Sequence, residues 1–254
     1  MYGDPDSDRP RTGLIIVLAL VALVVIAGAV GFGLRRTVET PEGVEAELQR
    51  NPTLRDTAAA IRANYPNAYA TILQRVAAAA RDGGRGAAQD ELNIALRDFI
   101  VGKVNAVTSA PSRELERLAG AQLALARALR DENVTLCAKY AIRGLDPTDR
   151  LSPGTAALVS RASVMTIEAA VAGEHGGRQP RAAPSQADNQ AWLARTRAID
   201  AEAARVIADG TVERNSPDRQ CRAGIAIFQA LTELPGETTA SLMASMVREA
   251  TGRR

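Results

Sequence analysis

From Gly13 the chain reads GLIIVLALVALVVIAGAVGFGL and meets no charge until Arg35. As a helix rising 1.5 Å per residue, this run is about as long as the roughly 30 Å hydrocarbon core of a bilayer. A stretch so uniformly apolar has three fates: it spans a membrane, it is cleaved as a signal peptide, or it is wrapped by protein. Arg9 and Arg11 ahead of the run and the small-x-small sequence Ala27-Gly28-Ala29 suit a signal peptide. Against that, the apolar residues continue past Ala29 to Arg35-Arg36, and the tail before Arg9 carries Asp4, Asp6 and Asp8. Length argues against a core helix. The expectation is therefore a polar tail over 1–12, a single transmembrane anchor over 13–35, and one helical soluble domain over 36–254.

The flanking charges leave orientation undecided, with two arginines on each side of the run. A short tail followed by one long domain, together with two cysteines, favours a cytoplasmic N-terminus and a periplasmic or otherwise extracytoplasmic domain in a bacterial inner membrane. The cations are arginine except for Lys103 and Lys139, a skew that reads as GC-rich codon usage. They alternate with acids, and aromatic residues make up only 3% of the chain, so the basic stripe with stacking partners expected of a nucleic-acid binder is missing.

After Arg36 no stretch alternates with period two, and 49 alanines across the chain favour helices throughout. Pro41, Pro52, Pro66, Pro111, Pro153 and Pro217 each precede an apolar-periodic run, where the missing N–H costs nothing. Asn51-Pro52 and Ser216-Pro217 read as an N-cap followed by a first helical residue. The pattern predicts helices at 42–50, 53–64, 67–82, 86–109, 112–131, 133–144, 154–173, 187–209, 217–234 and 236–251. Leu115, Leu118, Gln122, Leu125 and Leu129 trace one face. So do Ala157, Ser160, Val164, Ile167 and Val171, and Trp192, Thr196, Ile199, Ala203 and Val206. The fold class expected is all-α, an Ala-rich compact multi-helix bundle following the N-terminal transmembrane helix. The segment Glu174 to Ser185, EHGGRQPRAAPS, interrupts it as a loop.

Cys137 aligns with Val134 and Ala141, and Cys221 with Ile225 and Phe228, so both point inward. They are either buried thiols or a disulfide, and an extracytoplasmic location favours the disulfide. No Cys-x-x-Cys or third soft ligand suggests a metal or redox site, and no cofactor is expected. The lone His175 reads as a loop residue. Lys103 and Glu168 flank apolar stripes, where long charged side chains usually lay their stems on the core edge. Asp146-Pro147-Thr148-Asp149 lacks the glycine and distal glutamate of a calcium loop and reads as a turn. Gly83-Gly84-Arg85-Gly86 reads as a helix end and turn.

No catalytic residue is assigned. The leading expectation is a membrane-anchored module that binds a protein partner, or a second copy of itself, as a scaffold or assembly factor of the envelope. The alternatives are an envelope enzyme of wall-active hydrolase type with Glu168 or Glu233 as its acid, and a sensor or carrier with a ligand pocket between helices.

Overall fold

The computed structural model describes residues 36–146, 149–177 and 179–252. The tail and the apolar run of 13–35 lie outside them. Among the described residues all regular structure is helical: a short 3₁₀ turn, Arg36–Glu39, then α1 (Pro41–Arg50), α2 (Arg55–Asn64), α3 (Pro66–Gly102), α4 (Val104–Thr108), α5 (Ser112–Glu132), α6 (Val134–Arg143), α7 (Pro153–His175), α8 (Gln186–Ile199), α9 (Ala201–Ala208), α10 (Pro217–Thr232) and α11 (Gly236–Gly252).

The starts follow local chemistry. Pro41, Pro66, Pro153 and Pro217 open helices as expected. Thr40, Asn133, Ser152, Ser185 and Asp200 accept backbone N–H groups of the first turn. Asn51 departs from expectation. It closes α1, and its Oδ1 accepts the Thr53 N–H at 2.9 Å, so Pro52 lies in a turn and α2 begins only at Arg55.

The long run α3 is a hairpin. Gly84, at φ 70° and ψ −159°, is the one non-helical residue inside it. Arg75 Nε reaches Glu91 Oε1 at 2.5 Å and Arg75 Nη1 reaches Asp98 at 3.2 Å. Residues sixteen apart on a straight helix would be separated by roughly 24 Å, so the chain folds back at Gly84. A side chain at this φ would be strained, which is why the turn falls on a glycine.

Two expected helices are each broken once. The 86–109 run stops at Gly102 and restarts after Lys103, next to a glycine of low helix propensity. The 187–209 run breaks at Asp200, which leaves helical geometry to cap α9 through Ala203 N–H at 2.9 Å and to receive Arg222 at 2.7 Å. Helix α7 runs through Glu174 to His175, so those two residues belong to a helix and the loop starts at Gly176.

Two apolar clusters form. One, around Val44, Ile61, Ile72, Val76 and Leu92, lies within α1–α3; the other, around Leu118, Tyr140, Trp192, Phe228 and Leu231, lies within α4–α11. Helix α7 belongs to both, with Ile167 in the first cluster and Val159, Ala162, Ala169 and Ala170 in the second. The single stripe expected for α7 is thus too narrow: Ala157 is exposed, while Ala156, Ser163 and Thr166 on other faces are buried. Among the described residues α7 is also the one helix long and apolar enough to cross a membrane, at mean hydropathy 1.3, yet 56% of its most apolar window is buried in protein. It is the shared core helix. Where α7 crosses α4 the backbones nearly touch, and a Cβ on Gly173 would lie 1.8 Å from the Ala106 carbonyl oxygen.

Candidate functional site

The residues singled out by sequence fall at four separate places. Between α6 and α10, Cys137 and Cys221 are fully buried with their sulfurs 1.99 Å apart, at disulfide distance, and their Cα atoms 5.1 Å apart. The same approach places a Cβ on Gly224 within 2.5 Å of Ala141 Cβ, so glycine is what lets these two helices come so close. In the same core cluster the Tyr140 hydroxyl donates to Gln122 Oε1, and burial pushes that hydroxyl's pKa upward. The turn after α6 is tied down by Lys139, whose Nζ meets Asp146 at 2.5 Å and Asp149 at 2.6 Å, and Asp149 also accepts the Asp146 N–H at 2.6 Å. The acidic loop therefore serves as a turn lock.

The second place is the joint between α2, α3 and α7. Lys103 Nζ lies 2.8 Å from Glu174 and 4.0 Å from the centre of the Tyr65 ring, which itself packs edge-on to Phe99. Burial, opposed by the hydrogen bonds and charge of Lys103 and Tyr65, leaves the Glu174 carboxyl below its ordinary pKa; burial first and Glu174 second push the Tyr65 hydroxyl up. The Lys103 side chain is three-quarters covered, with its charge paired, as a stem lying on the core edge would be.

Glu233 is the third. Hydrogen bonding from Gln229 first, together with Arg195, holds its carboxyl below the usual range. An acid catalyst working near neutral pH needs the opposite shift.

Glu168 marks the fourth. It pairs with Arg117 at 3.0 Å, and Arg117 also holds Glu114 at 2.6 Å. This pair fixes α5 antiparallel to α7, and Glu132 at the far end of α5 confirms the register by accepting the Ser152 N–H at 2.7 Å and its hydroxyl at 2.9 Å. Between the two helices runs a groove of about 280 Å³ lined by Arg117, Gly120, Ala121, Ala124, Leu158, Arg161 and Met165. The small residues of α5 make its floor, and a Cβ on Gly120 would meet nothing within 4 Å. Arg161 is exposed and has no ion-pair partner among the described residues. A second, apolar cavity between α1, α2 and α3, lined by Leu48, Ile61, Tyr69 and Leu92 among others, holds only about 10 Å³. That is the size of one water and too small for an organic ligand.

Sequence reasoning missed Arg181. It sits in the Gly/Pro-rich segment read as a loop and turns that loop into a strap. Its N–H donates to Thr108 O, and its guanidinium donates to Ser112 Oγ at 2.7 Å and pairs with Glu237 at 2.6 Å. Its own carbonyl accepts Arg248 at 2.6 Å. Nothing local in the sequence signals this, because every partner lies at least 56 residues away. Among the described residues no three His, Cys, Asp or Glu side chains converge as a metal site would require. No family model, curated protein or solved structure shows significant similarity to the chain.

Proposed function

We propose that the chain is a single-pass protein of the bacterial inner membrane whose helical domain acts outside the cytoplasm as a protein-interaction module for envelope assembly. The apolar run from Leu14 to Leu34 supports the anchor. The Cys137–Cys221 geometry supports the oxidising side of the membrane, since disulfides persist there and are rare in the cytosol.

The α5–α7 groove carries the interaction reading. It is an open trough, suited to the side chains of a docked helix rather than to an enclosed small molecule. Its small residues on α5 allow close backbone approach, Leu158 and Met165 supply apolar surface, and Arg161, without an ion-pair partner among the described residues, calls for an acidic residue on the incoming helix. The occupant fitted by this chemistry is an amphipathic helix of a partner protein carrying a carboxylate beside its apolar stripe.

A photo-crosslinker at Ala124, exposed in the groove, is expected to capture one discrete partner in native membranes, and Gly120→Trp is expected to abolish that capture while leaving the fold intact. Equal capture from exposed Ile94, on α3, would sink the groove as the docking site. Topology is tested by denaturing the protein in an alkylating agent. Without reductant neither cysteine should be labelled, and immediate labelling of both would move the domain to the cytoplasm.

A further inference from the structure

The place where the chain enters the described domain fixes which surface faces the bilayer. Val38 is buried in the α1–α3 cluster, at 4% exposure, within the 3₁₀ turn Arg36–Glu39. The carbonyl of Glu39 accepts the Arg81 guanidinium at 2.7 Å. Arg81 stands at the tip of the α3 hairpin, three residues before the Gly84 turn. The last residue of the apolar run, Leu34, precedes Glu39 by five positions. Even fully extended, five residues reach about 18 Å, and the headgroup layer occupies roughly 6 Å of that on each side. With the apolar run in the bilayer, Glu39, and with it the Arg81 guanidinium that it receives, therefore stays within about 12 Å of the headgroup surface.

The tip is composed for such a contact. Gly83, Gly84 and Gly86 bring no side chains, and the space beside Gly84 and Gly86 is open. Residues 81–86 are all exposed. Arg85 has no ion-pair partner among the described residues, whereas Arg81 is engaged by the Glu39 carbonyl and Asp82 supplies the one opposing charge within the tip. A guanidinium presents a planar fork of donors that matches phosphate oxygens. We infer that the α3 hairpin tip, residues 81–86, is a membrane-contact surface in which Arg85 binds phospholipid headgroup phosphates and orients the domain on the bilayer. This rests on the reading of 14–34 as an anchor.

The test uses the full chain reconstituted in vesicles of phosphatidylethanolamine and phosphatidylglycerol carrying a headgroup spin quencher. Cys137 and Cys221 are buried and paired, so a fluorophore can be placed by Gly86→Cys or, at the far end of the same hairpin arm, by Asn67→Cys. The label at position 86 is expected to be quenched severalfold more than the label at 67, and adding Arg85→Glu is expected to lower the quenching at 86. Comparable quenching at both positions, or quenching at 86 that is indifferent to Arg85→Glu, overturns the inference. Carbonate extraction run in parallel separates the two failures: chain released by carbonate removes the anchor and the inference with it, whereas chain retained but unquenched at 86 removes the tip contact alone.

Discussion

Around Ile61, Ile72, Val76 and Leu92 the α1–α3 layer is held by aliphatic packing and by the turn at Gly84. The bundle around Leu118, Phe228 and Leu231 adds the Cys137–Cys221 link, the buried Tyr140–Gln122 hydrogen bond and the Arg181 strap. Both regions draw on the same alanine-rich composition. They differ in how many contacts bridge residues far apart in sequence, and such bridges remove freedom from the unfolded chain as well as adding contacts to the folded one. The layer should thus open more readily than the bundle, so native-state amide exchange should be slower in α6 and α10 than in α1 and α2.

The largest test of this contrast removes the cross-link. The link closes a loop of sequence separation 84, and Cys137→Ala with Cys221→Ala is expected to cost about 4–5 kcal/mol in urea denaturation, with exchange accelerated first in α6 and α10. A loss below about 1 kcal/mol would mean that packing alone holds the bundle. Next comes Gly173→Val. Its Cβ would collide with the Ala106 carbonyl, so α7 must move off α4, and about 3 kcal/mol should be lost with both clusters loosened together. Ile167→Ala should cost about 2–4 kcal/mol, because this α7 side chain is fully buried in the α1–α3 cluster. The two variants differ in pattern: exchange after Ile167→Ala should rise in α1–α3 while α6 and α10 stay protected.

Acid gives a smaller and graded effect. Glu132, Glu174, Asp188 and Asp200 all have folded-state pKa values below their ordinary 4.5 or 3.8. A carboxyl with a depressed folded pKa stabilises fully above its unfolded pKa and loses that contribution as pH falls through the folded value. Stability should accordingly be flat above about pH 5 and decline below about pH 4.5. Three of the four groups cap or strap helices of the bundle, and only Glu174 sits at the joint, so the decline should be steeper for α7–α10 than for α1–α3. The smallest effect is expected from Lys103→Met. It removes the Glu174 pair and the contact over Tyr65 but keeps an apolar stem of similar length, so less than about 1 kcal/mol should be lost.

Much of this fold is legible residue by residue. Proline at a first helical position, serine ahead of it at Pro153 and Pro217, and leucines three and four apart locate most helices, and the inward alignment of Cys137 with Ala141 and Cys221 with Phe228 brings the sulfurs together. The breaks at Lys103 and Asp200 were hidden because periodicity continues across them: Trp192, Thr196, Ala203 and Val206 are all buried although the helix is interrupted between them. The groove was hidden for another reason. Gly120, Ala124 and Arg161 look like ordinary surface residues until the Arg117–Glu168 and Glu132–Ser152 contacts set the register of α5 on α7. Glu168 was noticed for its charge beside an apolar stripe, and it does adjoin the groove, through Arg117. Glu233, named only as the other candidate acid of a hydrolase, lies in a surface network with Arg195 and Gln229.

Helix α7 packs into the α1–α3 layer through Ile167, into the bundle through Ala169 and Ala170, and lines the groove with Leu158, Arg161 and Met165. Viewed as a budget of permissible change, it is constrained on more than one face. A larger residue at Gly173 meets backbone, and a polar one at Ile167 meets an apolar cluster. What freedom α7 has is concentrated at its solvent-facing positions, among them Ala157 and Arg161. The part of the groove open to substitution is therefore narrow, and most of it belongs to α5.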